Sequence, residues 1–125
     1  MLDGAARVEQ VVKRAVEDGQ PGIAITDHGN MYGVLDFYKA ARSAGVKPII
    51  GIEAYMAGGS RLDRPLRRGR LDDTGGDADA GDKLYYHLTL LAESDKGYKN
   101  LLKLSSEAYL SGYWYKPRCD WDRCV

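Results

Sequence analysis

The chain has 125 residues, 44% of them hydrophobic, which suits one domain with one buried core. Its 18 basic and 18 acidic residues cancel, so no global charge draws it to nucleic acid or to a membrane surface. No apolar run approaches the roughly 18 residues of a membrane span, and Met1-Leu2-Asp3 leads straight into a helical pattern instead of a signal peptide.

The first predicted element is a helix over residues 5–18. Val8, Val11, Val12, Ala15 and Val16 recur at helical spacing on one face, and Gly19 and Pro21 end it. Residues 22–26 are apolar and partly β-branched, as in a strand covered on both faces. That strand stops at Asp27-His28-Gly29, where two readings compete. In one, Asp27 caps the next helix and His28 is exposed. In the other, the pair sits at the C-terminal edge of a sheet, with His28 as a metal ligand and a carboxylate supporting it. A second helix is predicted over residues 32–44, with Val34, Leu35, Tyr38 and Ala41 inward, Gly45 as its cap and Pro48 preventing continuation.

Residues 49–56 alternate as a strand. Ile50, Ile52, Ala54 and Met56 share one face, and Ile49, Gly51, Glu53 and Tyr55 the other. Glu53 is the outlier, because a carboxylate in an apolar strand needs water, a proton partner or a cation. Residues 57–83 form an irregular loop split by charge: Arg61, Arg64, Arg67, Arg68 and Arg70 precede Asp72, Asp73, Asp77, Asp79 and Asp82. This composition reads as a solvated loop and not a binding element. Residues 84–92 predict a third strand with His87 on the face of Tyr85, Thr89 and Leu91. A third helix follows over residues 94–110, capped by Ser94 or Asp95, with Tyr98, Leu101, Leu102 and Ala108 inward. The tail, residues 111–125, reads as irregular, and its aromatics Tyr113, Trp114, Tyr115 and Trp121 suggest a surface that further chain covers. Cys119 and Cys124 have neither CxxC spacing nor a nearby His, so they do not make a zinc site, and a reduced cytoplasmic setting fits them.

Strands alternating with helices place the chain in the α/β class, with βαβ units and a parallel sheet: part of a larger (β/α) barrel, or a small open sheet. Asp3, His28, Glu53 and His87 then stand out as carboxylates and imidazoles that one sheet edge could collect. Such ligands suit zinc, manganese or iron. Metals clustered about 3.5–4 Å apart bind phosphate and activate water for phosphoester hydrolysis.

Several segments carry a family resemblance: residues 2–7 (Leu-Asp-Gly-Ala-Ala-Arg), 25–33 (Ile-Thr-Asp-His-Gly-Asn-Met-Tyr-Gly), 47–53 (Lys-Pro-Ile-Ile-Gly-Ile-Glu) and 87–92 (His-Leu-Thr-Leu-Leu-Ala), continued by Gly97-Tyr98, Asn100-Leu101 and residues 103–106. The chain resembles the PHP (polymerase and histidinol phosphatase) domain of the bacterial replicative DNA polymerase III alpha subunit. Residues 37–41 and 104–106 resemble that branch more than the free-standing phosphatases. The resemblance implies a partial PHP barrel with a trinuclear site of zinc, manganese or iron at the strand ends. It aligns Asp3, His28, Glu53 and His87 with metal ligands and makes Asp27 a catalytic support behind them. In some members this site is a 3′–5′ exonuclease, and in others the domain only docks a separate proofreading exonuclease. The implied partners, reached through the full-length protein, are DNA, a proofreading exonuclease and a sliding clamp, with no membrane. The family's opening His-x-His strand and its later His and Asp-x-His ligands have no counterpart in this sequence. The expectation is therefore a fragment, inactive by itself, with the first strand and the C-terminal half of the barrel missing. The alternatives are a free-standing phosphoesterase of the histidinol phosphatase type and a docking module without chemistry.

Overall fold

A computed structural model describes residues 4, 6–66 and 84–124. The elements run in the order α1 (Val8–Glu17), β1 (Gly22–Ile25), α2 (Val34–Ser43), β2 (Lys47–Met56), β3 (Tyr86–Leu91), α3 (Asp95–Leu110), β4 (Tyr113–Trp114), β5 (Lys116–Cys119) and α4 (Trp121–Cys124). The three predicted helices and three predicted strands are all present, with ends that differ by a few residues. Ser94 caps α3 as expected, its side chain accepting a hydrogen bond from the Gly97 N–H.

β2 is the spine. Its first four residues pair in parallel with β1, Gly22 opposite Lys47 through Ile25 opposite Ile50. Its last two pair in parallel with β5, Tyr55 opposite Arg118 and Met56 opposite Cys119. Between them a single bridge joins His28 to Glu53. β3 takes the other edge, antiparallel, with Gly51 opposite Leu91 and Met56 opposite Tyr86. The expected all-parallel sheet is thus corrected to a mixed one. A strand that returns after the long 57–85 connection needs no crossover helix, and an antiparallel neighbour is open to it. The sheet formed by the described residues is not closed into a barrel.

The alternation of β2 divides the molecule. Ile52, Ala54 and Met56 lie under α3 with Leu101, Leu104 and Cys119. Ile50, on the same face, packs with Ile23 and Ile25 against Val12, Phe37 and Ala41 of α1 and α2. These helical residues therefore cover one face of the sheet, and the alternation of β2 sets Glu53 and Tyr55 on the other. Val12, Ala15, Val34, Ala41, Leu101 and Ala108 are buried as expected, but the buried stripes are narrower than expected and partly shifted. Leu35, Tyr38, Val16 and Leu102 are exposed, while Phe37 and Leu104 are buried. Val34, Phe37 and Ala41, like Leu101, Leu104 and Ala108, make narrow i, i+3, i+7 stripes, and contact with the sheet selects these over equally legal neighbours.

The tail is the main departure from expectation. It forms a hairpin, β4 on β5, turning at Tyr115 with φ 61°. Strands of two and four residues are too short to show periodicity; β5 is made by pairing with β2, and β4 by pairing with β5. The arginine segment is docked on this hairpin, contrary to a purely solvated loop. Arg61 forms an ion pair with Asp120 at 3.2 Å, with side chains only 12% and 6% exposed. The Arg61 N–H also donates to Asp120 Oδ2 (2.8 Å), and its Nε donates to Ser111 Oγ (3.0 Å). Arg64 donates to the Ser111 carbonyl and lies over the Trp114 ring, whose indole N–H donates to the Pro65 carbonyl. The aspartate run of the loop and Arg67, Arg68 and Arg70 lie outside the described residues.

Arg118, 1% exposed, closes the joint. Its guanidinium donates to the carbonyls of Gly112 (3.3 Å), Arg61 (3.2 Å) and Asp63 (2.6 Å). Burial, then Arg64, lowers its pKa against the pull of Asp63. A lysine cannot reach three carbonyls with a planar fork. Arg118→Lys should therefore cost about 1.5–3 kcal/mol of stability in a urea melt; a midpoint equal to the parent's would rule the joint out as a structural element.

Candidate metal centre

Beyond β1 the chain stays alongside β2 for three more residues. The Glu53 N–H donates to the Asp27 carbonyl (2.9 Å), and the Gly29 N–H donates to the Glu53 carbonyl (2.8 Å). These two bonds fix Glu53 from both sides and place His28 opposite it. Gly29 then turns the chain with φ +64°. A Cβ there would stand 2.5 Å from Tyr55 Cε2 and 3.0 Å from Pro117 Cγ, so only glycine fits. The Asn30 side chain completes the turn, its Nδ2 donating to the His28 carbonyl (2.8 Å) and its Oδ1 accepting from the Tyr32 N–H (3.0 Å).

The Asp27 carboxylate points away from the imidazoles and accepts the N–H of Gly33, which precedes α2, at 3.0 Å. It thus anchors the entry to that helix, while its main-chain carbonyl holds Glu53. The N-cap position of α2 is Gly33, so Asp27 is not the cap that the first reading expected; it braces the turn that leads into the helix.

Glu53 reaches two histidines. Its Oε1 lies 2.6 Å from His87 Nδ1 and its Oε2 lies 3.4 Å from His28 Nε2. The register that sets Tyr55 opposite His87 makes Glu53 and His87 diagonal neighbours, within side-chain reach. One nitrogen or oxygen from each of His28, Glu53 and His87 falls within 4.8 Å of the others, so the three could hold a metal ion. The side chains are 36%, 25% and 26% exposed, half-sheltered but open to solvent. Two imidazoles and a carboxylate are a donor set that fits zinc, manganese or iron. Three of the four ligand candidates thus converge, and Asp3 lies outside the described residues.

The floor of the site was not read from the sequence. Tyr55 and Tyr85, 6% and 1% exposed, stack edge to face at 4.9 Å and lie 5.2 and 5.7 Å from the His87 ring. Lys116 brings its ammonium to 5.4 Å from the centre of the Tyr55 ring. The place of Tyr55 on the face of Glu53 was a usable signal, but nothing local marks Lys116, which depends on the hairpin.

Residues 1–124 match the family model of the PHP domain. The chain is 46% identical over 122 residues to the DNA polymerase III subunit alpha of Aquifex aeolicus, covering 98% of this chain and 10% of that protein. It is 48% identical over 122 residues to the subunit of the same name from Borreliella burgdorferi, with the same coverage. The Thermus aquaticus subunit is 48% identical over 122 residues, covering 96% of this chain and 9% of that protein. The chain therefore spans about a tenth of the length of these relatives. No helix among the described residues is long and apolar enough to cross a membrane.

Gly29→Ala should destabilise the protein by at least about 1–3 kcal/mol through its left-handed backbone alone, with the Tyr55 clash in addition. Thermal or urea unfolding measures this, and an unchanged midpoint would show that the turn is not built this way.

Proposed function

The chain belongs to the PHP domain family, and from that premise we propose that it is the PHP portion of a replicative DNA polymerase III alpha subunit, carrying a metal centre for 3′–5′ phosphodiester hydrolysis. The observation that supports this reading is the convergence of His28, Glu53 and His87 within 4.8 Å on one face of the sheet. In the complete protein, Asp3 and ligands from further chain would join them, the sheet would extend into the family's barrel, and the site would be trinuclear.

Bound divalent ions of zinc, manganese or iron would supply positive charge against the scissile phosphate and lower the pKa of a water. The residues of the chain do the rest. His28 and His87 each offer a ring nitrogen. Glu53 offers both carboxylate oxygens, already aimed at the two rings. Asp27 supports the site from behind by holding the Glu53 N–H, and its carboxylate fixes the turn against α2. The Tyr55 and Tyr85 rings exclude water from one side of His87. Polymerisation itself, and contacts with DNA, a proofreading exonuclease and a sliding clamp in the cytoplasm, would belong to the full-length protein.

The test is made on the full-length protein. His28→Ala and His87→Ala should each weaken metal affinity by at least about tenfold, seen as lower metal content by mass spectrometry. They should also reduce chelator-sensitive removal of a mispaired 3′ nucleotide. Unchanged metal content in both variants would overturn the ligand assignment. Retained metal without any nuclease activity in the parent would favour the docking role over the catalytic one.

A further inference from the structure

Tyr32, Tyr109 and Tyr113 form a row of rings from three separate segments: the turn before α2, the end of α3 and the start of β4. Tyr32 and Tyr109 lie 6.4 Å apart and Tyr109 and Tyr113 lie 6.1 Å apart, centre to centre, with tilts of 39° and 34°. The three residues are 78%, 38% and 54% exposed, so the row is open to solvent. Each end of the row connects to the segment that carries His28. Tyr32 is tied through Asn30 to the His28 carbonyl. Tyr113 pairs with Pro117, whose ring lies against the turn at Gly29. The Lys116 ammonium lies over the Tyr55 ring, which adjoins His87.

We propose that the Tyr32–Tyr109–Tyr113 row is a stacking platform for the bases of single-stranded DNA, leading a strand to the His28–Glu53–His87 centre with Lys116 taking a phosphate. This rests on the function proposed above and assigns its substrate-binding surface. Tyrosines have few rotatable bonds and lose little entropy on contact. Base–aromatic stacking tolerates any sequence, and it requires bases that are not paired inside a duplex. Partial burial, then a hydrogen bond with Tyr32, pushes Tyr109 up to about 12, so no phenolate forms there to repel phosphate.

The experiment titrates the protein with fluorescent oligo(dT) and with a duplex of equal length, following anisotropy, with metal content measured on the same samples. Single strands should bind more tightly than duplex. Tyr32→Ala and Tyr113→Ala should each weaken oligo(dT) binding about tenfold, while Tyr32→Phe and the exposed control Leu110→Ala keep it. Lys116→Ala should flatten the salt dependence. Tyr32 is in an exposed turn, so its variant reports even where Tyr113→Ala fails to fold. Parental affinity in Tyr32→Ala, or equal binding of duplex, would overturn the platform, as would oligo(dT) binding that is absent because further chain covers the row. His28→Ala separates the two readings: lost metal with oligo(dT) binding retained supports the platform independently. Retained metal sinks the metal centre and leaves the platform to stand on its tyrosine variants.

Discussion

The site depends on how the backbone of Glu53 is held. Its N–H and its C=O are both taken by the segment of Asp27 and Gly29, which extends β1 along the edge of β2. That pair of bonds does two things at once. It fixes the direction of the Glu53 carboxylate, and it brings His28 level with it. On the other edge, β3 delivers His87 through its register. A shift of one residue in either pairing would send the histidine to the opposite face. Strand pairing therefore brings the three donor residues to one place on one face.

The second joint, around Arg118 and Asp120, explains how an apparently disordered stretch takes part in the fold. Two nearly buried charges, Arg61 and Asp120, are paired and further hydrogen bonded, which offsets the cost of removing them from water. Arg118 satisfies three carbonyls where two segments cross. These contacts hold the hairpin against β2, with Lys116 over the Tyr55 ring and Pro117 against the turn at Gly29. By contrast, the pairs of Lys13 and Arg14 with Glu17 and of Arg14 with Asp18 on α1 are exposed and add little.

The two helix-facing core clusters lie on one face of the sheet, and the other face carries the half-exposed donors beside the buried Tyr55 and Tyr85. The helix-facing side supplies cohesion through Ile50, Ile52, Ala54 and Met56. The other side holds the ionisable groups where solvent and substrate can reach them. The polymerase subunits to which the chain is similar are about ten times its length.

The sequence by itself determined the elements whose signal is local. Helix periodicity, the Ser94 cap, the alternation of β2 and the oddity of Glu53 in an apolar strand were all legible, and with the family motif they singled out His28 and His87. These depend on neighbours three or four residues apart. Tertiary structure decided the rest. The direction of β3 depended on how a long connection returned. The helix phase depended on whether Phe37 or Tyr38 met the sheet. The hairpin existed only because β2 offered it an edge, and the burial of Arg61 and Arg118 depended on residues some fifty positions away. Such choices turn on long-range contact energies of about 1 kcal/mol each, which no local pattern of residues encodes.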